Sequence, residues 1–181
     1  ITGLIIFFLG SNPVQASTTV YRVSQDGIND GLCGTAWESS CSLQQALRLS
    51  VAGDQIWVKA GTYKPTNTAD RTISFAPKSG VALYGGFIGT ETDVSQRSPI
   101  DHVTILSGDI GLAGDSSDNS YHVVYSNNVD AATSLDGFTI SGGNANGQYP
   151  YSRGGGIFNY GGSLSLANVV LTGNQTIDLG G

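Results

Sequence analysis

The sequence predicts an all-β fold, a parallel β-helix solenoid preceded by a short N-terminal capping helix. The first observation is an internal repeat, because residues 135–144 and 166–174 follow one pattern of leucine, turn formers, three strand formers, a hydroxyl residue, glycine and asparagine. The second is that short apolar, β-branched runs recur about every 20 to 27 residues with glycine or asparagine between them. The hairpins of a sandwich would need tight two-residue turns, which are not recognised between the strand runs. Stacked turns of parallel strands are therefore favoured over a sandwich.

One helix is predicted, over residues 42–52. Ser42 and Gln45 have the spacing of a capping box, and Gly53 supplies a C-terminal stop. Four apolar residues fall on one face at helical spacing: Leu43, Ala46, Leu47 and Val51. Because the first turn of a solenoid exposes an apolar end, this helix is expected to cover it.

Ten strands are predicted along the rest of the chain. Equivalent positions of successive turns are expected at Ile56, Leu83, Ile105 and Val124. Asparagines at corners between strands tolerate positive φ and can share hydrogen bonds between turns, so Asn144, Asn159, Asn168 and Asn174 are interpreted as structural. The predicted strands are residues 55–58, 61–63, 72–75, 81–87, 103–106, 121–126, 134–140, 157–158, 163–166 and 169–171.

The chain begins with a segment typical of an exported protein. Residues 1–16 combine an apolar run with a small-residue cleavage pattern, which predicts an N-terminally incomplete signal peptide cut between Ala16 and Ser17. The alternative is a buried N-terminal strand. The apolar run is too short to span a bilayer, so no transmembrane span is expected in the mature part. The β-helix domain is expected over residues 17–181 and to continue beyond Gly181.

Composition restricts the partners of the protein. The 39% hydrophobic content argues against disorder, and the net charge of −6 argues against nucleic acid and disfavours acidic polysaccharides and anionic membranes. In an oxidising compartment the only two cysteines, Cys33 and Cys41, are most simply a local disulfide. Export and the disulfide therefore predict a secreted or cell-surface location.

Several blocks of sequence resemble a known superfamily. The blocks are Cys41-Ser42-Leu43, Gly53-Asp54-Gln55-Ile56, Gly61-Thr62-Tyr63 and residues 84–92, 96–97, 104–110 and 118–124. They look like the opening of bacterial secreted right-handed parallel β-helix proteins of the pectin-lyase-like superfamily. The resemblance covers residues 21–181 and implies that fold, whereas it is not specific for an activity.

The C-terminal part is similar to a second group, the repeats of polymorphic outer membrane proteins, whose motifs are Gly-Gly-Ala-Ile and Phe-x-x-Asn. Residues 154–157 have glycine in place of the alanine, and residues 171–174 have leucine in place of the phenylalanine. This resemblance implies an adhesin-like passenger displayed at the outer membrane or cell surface.

Candidate site residues suit three kinds of chemistry: lyase catalysis, calcium binding and ligand binding. The superfamily resemblance implies that a lyase would use acids with calcium and a basic residue, for which Asp109, Asp136 and Arg153 are weak candidates. Weak calcium candidates are Asp115 and Asp118, each more simply a loop-capping residue. No other cofactor is expected. The loop of residues 145–152 is the best place for a ligand, with Tyr149, Tyr151 and the neighbouring Arg153 as binding residues. His122 is interpreted as a surface or hydrogen-bonded histidine.

The function expected from these residues is a non-catalytic structural or adhesin-like module. It would bind an extracellular polysaccharide or a host or neighbouring cell surface, without a cofactor except for possible calcium. The alternative is a carbohydrate-active enzyme of the pectate-lyase type, a polysaccharide lyase before a glycoside hydrolase. The sequence leaves the enzyme question open, with the non-catalytic interpretation favoured because no paired carboxylates occur.

Overall fold

The computed structural model describes residues 18–29 and 33–178. The predicted signal peptide, its cleavage site and the glycines at the C-terminal end all lie outside the described residues. Thirteen strands are present: β1 (Val20–Ile28), β2 (Gln55–Lys59), β3 (Gly61–Tyr63), β4 (Ala82–Phe87), β5 (Thr104–Ser107), β6 (Val124–Val129), β7 (Ser134–Asp136), β8 (Phe138–Ser141), β9 (Asn144–Ala145), β10 (Ile157–Gly162), β11 (Ser165–Ala167), β12 (Val170–Thr172) and β13 (Gln175–Thr176). One α-helix, α1 (Leu43–Leu49), and 3₁₀ helices at Trp37–Ser39, Val94–Gln96 and Ser116–Asp118 complete the described elements.

The predicted all-β, right-handed parallel β-helix solenoid is wrong. The strands do pair in parallel, but they form four small, separate sheets rather than one continuous winding. The sheet orders are β1-β2-β4-β7-β11, β12-β8-β5-β3, β10-β6 and β13-β9. The physical reason is that irregular segments between the strands, such as residues 108–123 with their 3₁₀ helix, interrupt strand pairing. Successive strands therefore join different sheets.

Register shows which residues are equivalent. Ile56 pairs with Leu83, Leu83 with Leu135 and Leu135 with Leu166, forming one apolar column across the five-stranded sheet. A second column runs through Tyr63, Leu106, Ile140 and Leu171 in the four-stranded sheet. Two of the expected equivalent positions were therefore misassigned, because Ile105 and Val124 lie in other sheets than Ile56 and Leu83. The spacing of 27 residues between Ile56 and Leu83 agrees with their pairing, whereas the next partner in this column, Leu135, follows 52 residues after Leu83.

The repeat recognised in the sequence is real, with a register of 31 residues. Strands β7, β8 and β9 pair with β11, β12 and β13, and Gly143 N–H donates to Oδ1 of Asn174, 31 residues further along the chain. The turns repeat as well. Gly137 has φ 84° where Asn168 has φ 50°, and Gly142 has φ 74° where Gly173 has φ 62°. Glycine and asparagine occupy these positions because other side chains strain a left-handed backbone.

The predicted strands agree unevenly with the observed ones. The 72–75 prediction reduces to Phe75, which forms an isolated bridge with Val124. The 134–140 prediction splits into β7 and β8 at Gly137, whose positive φ breaks the strand. Strands β1, β9 and β13 were not predicted.

Helix α1 is shorter than predicted. Ser42 caps it as expected, its hydroxyl accepting from Gln45 N at 3.2 Å, but the helix ends at Leu49 with Ser50 as C-cap, before Gly53. The buried residues Leu43 and Leu47 join the same core cluster as Val23 of β1. The predicted apolar face was wrong at Val51, which is 63% exposed because it follows the helix end. The helix packs against β1 and β2, so it covers the β1 side of the five-stranded sheet.

Cys33 and Cys41 form the predicted disulfide, with a Cα–Cα distance of 4.9 Å. Cys41 is fully buried and bridges to both Val23 and Ile28 of β1. The disulfide therefore anchors the loop before α1 to the first strand.

Candidate functional site

A cleft of about 490 Å³ lies between the segment before Phe75 and the loop before β10. We call it the aromatic cleft, because side chains of several ring-bearing residues form one wall. Its lining residues are Gln44, Pro65, Thr72, Ile73, Ser74, Ala76, His122, Tyr125, Pro150 and Tyr151. The volume falls within the range of about 300–1,000 Å³ typical of small-ligand sites.

Stacked rings build the wall of the aromatic cleft. Tyr151 stacks on Tyr121 with ring centroids 4.7 Å apart and lies 5.7 Å from the His122 ring. The His122 ring in turn stacks on Phe158 at 4.9 Å. Parallel pairing fixes part of this arrangement, since Tyr125 of β6 is the register partner of Phe158 of β10. The wall therefore depends on contacts between the β6 region, β10 and the loop of residues 145–152.

Arg71 holds the back of this wall. Its guanidinium carbon lies 4.1 Å from the centre of the Tyr121 ring, a cation–π contact. Its nitrogens donate to the carbonyl oxygens of Asn119 and Asn144, at 2.6 Å and 3.0 Å, and to Oδ1 of Asn146 at 2.8 Å. Through its Nε and one terminal nitrogen, Arg71 therefore joins the loops around Tyr121. Arg71 is not among the residues that line the cleft.

His122 is the most buried ring of the wall, with 3% of its surface exposed. Its Nδ1 lies 3.0 Å from the carbonyl oxygen of Gly154, and since a carbonyl can only accept, Nδ1 is the protonated nitrogen. Burial lowers the pKa of His122 and outweighs the opposing hydrogen bonds that the ring donates to the backbone of Gly154 and Arg153. The neutral ring therefore presents Nε2 as an acceptor, and this atom has no partner among the described residues.

Uncharged polar groups also line the aromatic cleft. Gln44 of α1 donates from Nε2 to the carbonyl oxygens of Pro65 and Ser74, at 2.7 Å and 3.1 Å. Ser74 donates from its hydroxyl to the carbonyl oxygen of His122 at 2.7 Å, which joins residues 72–76 to the segment that carries His122. None of the described lining residues is an aspartate, glutamate, lysine or arginine. The aromatic cleft is therefore an apolar and hydrogen-bonding site without formal charge.

The predicted ligand residues separate in the structure. Tyr151 lines the aromatic cleft, whereas Tyr149 is 60% exposed and is not among its lining residues. Arg153 lies over the Tyr149 ring at 5.4 Å and pairs through Nε with Asp178 at 2.6 Å. Of the three predicted binding residues, Tyr151 alone is among the described residues that line the aromatic cleft.

The predicted catalytic residues each have a partner of their own. Asp136 pairs with Arg97 at 2.5 Å beside a second cavity of about 450 Å³. Asp109 lies 3.9 Å from Lys64 and accepts from Gly114 N at 3.3 Å, while Arg153 pairs with Asp178. The structure places these three residues in separate ion pairs rather than around one cavity.

The calcium candidates take part in local loop structure. Asp115 caps the Ser116–Asp118 helix, and hydrogen bonds from the side chain and backbone of Ser117 lower its pKa. Asp118 accepts from Leu112 N at 2.7 Å. Across residues 18–29 and 33–178, no group of three or more histidine, cysteine, aspartate or glutamate side chains is arranged to hold a metal ion.

Sequence reasoning missed most of the aromatic cleft. His122 was interpreted as a surface or satisfied histidine, whereas it is buried with one nitrogen unpartnered. Gln44 lies within the helix predicted over residues 42–52, and residues 72–75 were predicted as a strand. The one signal available was the density of rings at Tyr121, His122 and Tyr125.

Compared with known protein families, with curated proteins and with solved structures, the chain has no match. The resemblances to the pectin-lyase-like superfamily and to polymorphic outer membrane protein repeats therefore stay predictions. Among the helices of the described part of the chain, none is long and apolar enough to cross a membrane.

Proposed function

We propose that this chain is an exported, non-catalytic, adhesin-like module that binds a neutral glycan in the aromatic cleft. The observation that carries the proposal is the composition of the cleft, which is lined both by aromatic rings and by uncharged hydrogen-bonding groups. Sugars present apolar C–H faces and many hydroxyls, so they need these two kinds of partner at once.

The rings supply the apolar half of such a site. Tyr151 and Tyr125 both line the aromatic cleft while keeping part of their surface exposed. Tyr151 is held in place by Tyr121 behind it, and Tyr125 by Phe158. Because these rings are already fixed, a sugar that packs on them orders few further side chains, and this favours binding.

The polar half favours a neutral ligand. The Gln44 carboxamide oxygen has no hydrogen bond among the described residues, and Nε2 of the neighbouring His122 is likewise unpartnered. The Gln44 oxygen is an acceptor that suits a sugar hydroxyl, whereas Nε2 of His122 is itself buried. A uronate polymer would need cationic partners, and it would approach a chain of net charge −6.

Catalysis has less support from the same geometry. A glycosidase needs two carboxyl groups about 5 to 9.5 Å apart across the scissile bond, and the described lining of the aromatic cleft has none. Arg153, the candidate base of a lyase, is paired with Asp178. These observations favour a binding module over the alternative of a polysaccharide lyase or hydrolase.

Export rests on a different observation. A disulfide such as Cys33–Cys41 persists in oxidising compartments and is rare in reducing ones. We therefore place the module outside the cytoplasm, secreted or on the cell surface, as the resemblance to surface-displayed repeats implies.

The test is binding to immobilised neutral and uronic-acid oligosaccharides, with Tyr151→Ala and the matched control Tyr149→Ala. Loss of one ring contact, about 1.4 kcal/mol, should weaken neutral-glycan binding about tenfold in Tyr151→Ala. Tyr149→Ala, from outside the cleft lining, should bind like the unaltered protein. Equal binding by both variants, preference for uronates, or cleavage of the sugar would each contradict the proposal.

A further inference from the structure

His122 combines deep burial with a ring nitrogen that lacks a partner. It lines the aromatic cleft, yet only 3% of its surface is exposed. Its Nδ1 lies 3.0 Å from the carbonyl oxygen of Gly154, whereas Nε2 has no partner among the described residues. The neutral ring fits this environment, because it carries a hydrogen on Nδ1 alone. A protonated ring would add an N–H at Nε2, where none of the described residues offers an acceptor.

The rings around His122 supply no counter-charge. The aromatic side chains that stack with it are Tyr125, Tyr151 and Phe158. None of them is a carboxylate, and none of the described lining residues of the cleft is an aspartate or a glutamate. Protonation of His122 would therefore place a charge in a buried, mostly apolar environment without compensation, which is strongly unfavourable.

The charged side chains of the neighbouring segments do not compensate such a charge either. Arg71 is itself a cation and lies over the Tyr121 ring. Asp70, beside it in the chain, is exposed. Arg153 contacts the imidazole with its backbone, and its side chain pairs with Asp178. A charged imidazole therefore depends on water for its stabilisation.

The two sides of the His122 ring are held differently. Phe158 belongs to β10, which pairs along its length with β6. Tyr151 lies in the loop of residues 145–152, and its own backbone hydrogen bonds are to Gly147 and Gln148 of the same loop. A loop held by local bonds opens at a lower free-energy cost than a pair of strands. The loop side is therefore the side on which the ring can reach water.

We propose that protonation of His122 opens the aromatic cleft, so that the module binds its glycan at neutral pH and releases it in acid. The charged ring reaches water by displacing Tyr151, whose ring lines the cleft and supports the sugar. This regulation rests on the proposed function for the identity of the ligand, whereas the opening itself occurs without a ligand.

The direction of the pH effect follows from burial. Burial lowers the pKa of His122 below its ordinary value of 6.5, so the neutral ring and the closed cleft are favoured at neutral pH. This preference is fully present above pH 6.5 and is lost as the pH falls through the lower, folded-state pKa. A glycan that binds the closed cleft excludes the proton, so its affinity should fall about tenfold for each pH unit below that pKa.

The first experiment needs no ligand. The full chain, with its histidine and tyrosine rings labelled with ¹³C, is titrated by NMR from about pH 7.5 to about pH 4.5. We expect the His122 ring to titrate below pH 6.5 and the Tyr151 ring signals to change with the same midpoint. The proposal is overturned if His122 takes up its proton while the Tyr151 signals stay unchanged, or if His122 stays neutral throughout this range.

The second experiment measures binding of neutral oligosaccharides over the same pH range, with two variants. His122→Asn keeps a side-chain N–H for the Gly154 carbonyl but has no group to protonate. His102→Asn is the matched control at the other histidine of the chain. The unaltered protein and His102→Asn should lose about tenfold in affinity for each pH unit below the NMR midpoint, and His122→Asn should lose none.

The outcomes separate the two proposals. An equal loss of affinity in His122→Asn would overturn control by His122 and leave glycan binding intact. Absence of binding at every pH would instead contradict the proposed function, and the NMR titration would still decide whether the cleft opens. That titration uses the unaltered protein, so it also decides the matter if His122→Asn does not fold.

Discussion

Asn168 donates a hydrogen bond from Nδ2 to Oδ1 of Asp136 at 2.7 Å, across 32 residues of chain. The other oxygen of the same carboxylate accepts from Arg97 at 2.5 Å. Asn168 thus joins two equivalent turns of the repeat, while its own backbone has a positive φ of 50°. One asparagine therefore serves both the turn and the contact between strands.

Substitution of Asn168 should separate these two roles. Asn168→Gly retains the positive φ without strain and loses one exposed hydrogen bond, so we expect a loss of unfolding free energy below about 1 kcal/mol. Asn168→Val loses the same bond and forces a β-branched residue into the left-handed region, which costs roughly 1–2 kcal/mol more. Urea unfolding measures both. Equal stability of the two variants would show that the turn tolerates any residue.

How far the sequence predicts the fold is clearest in this repeat. The match between residues 135–144 and 166–174 is local, and the parallel pairing it predicts is present. The assignment of Ile105 failed because sheet membership depends on how long insertions fold, which apolar spacing does not show. Val51 failed for a simpler reason, since the helix ends before it reaches that position.

The site was harder to predict than the repeat. Tyr151 could be proposed because aromatic residues in a long loop are typical of ligand sites. The environment of His122 could not be predicted, because it depends on the carbonyl of Gly154, 32 residues away. It also depends on the segment around Phe75, which contributes one isolated bridge rather than a strand. Long-range contacts of this kind leave no periodic pattern in a single sequence.

The ion pair between Arg97 and Asp136 should contribute more than the pair between Arg153 and Asp178. The Arg97 and Asp136 side chains are 12% and 18% exposed, against 41% for both members of the other pair. Asp136→Asn leaves a largely buried guanidinium without its counter-charge, which should cost about 1–3 kcal/mol of unfolding free energy.

Asp178→Asn is the matched control. Its pair is solvated, so the expected loss is below about 1 kcal/mol. Thermal unfolding of both variants in low and high salt measures the difference. A larger loss for Asp178→Asn would show that burial does not rank these two pairs.

The Cys33–Cys41 disulfide closes a loop with a sequence separation of 8. Restricting the unfolded chain by a loop of this size stabilises the fold by about 2.5 kcal/mol. We expect this loss of unfolding free energy in the double variant Cys33→Ser with Cys41→Ser, measured by urea unfolding against the oxidised protein. Alkylation of the unreduced protein should modify neither cysteine, and labelling of both would contradict the disulfide.

Glu91 should make stability depend on acid pH. The side chain is buried and accepts from Ile88 N at 2.7 Å, Gly89 N at 2.9 Å and Thr90 N at 3.0 Å. Burial alone would raise the pKa of Glu91, but the backbone N–H groups outweigh it and hold this pKa below its ordinary value of 4.5. The charged carboxylate is thus better stabilised in the folded state than in the unfolded one.

The sign of the effect follows from that lowered pKa. The contribution of Glu91 is fully present above pH 4.5 and is lost as the pH falls through the lower, folded-state pKa, because the unfolded chain takes up the proton first. Glu91→Gln removes a charged acceptor, so it should cost about 1–3 kcal/mol of unfolding free energy at neutral pH. Between about pH 6 and about pH 3, the unaltered protein should lose more stability than this variant.

Glu38→Gln is the control for the loss of one negative charge, since Glu38 is exposed and should change stability by no more than about 0.5 kcal/mol. Urea unfolding at several pH values gives the comparison.

Glu91 also positions its carbonyl oxygen to accept from Trp37 Nε1 at 2.9 Å, and the Trp37 ring lies 5.6 Å from that of Phe87. Loosening of the Glu91 turn should therefore change tryptophan fluorescence over the same pH range. Parallel pH profiles for the unaltered protein and Glu91→Gln would show that this carboxylate does not control the acid transition.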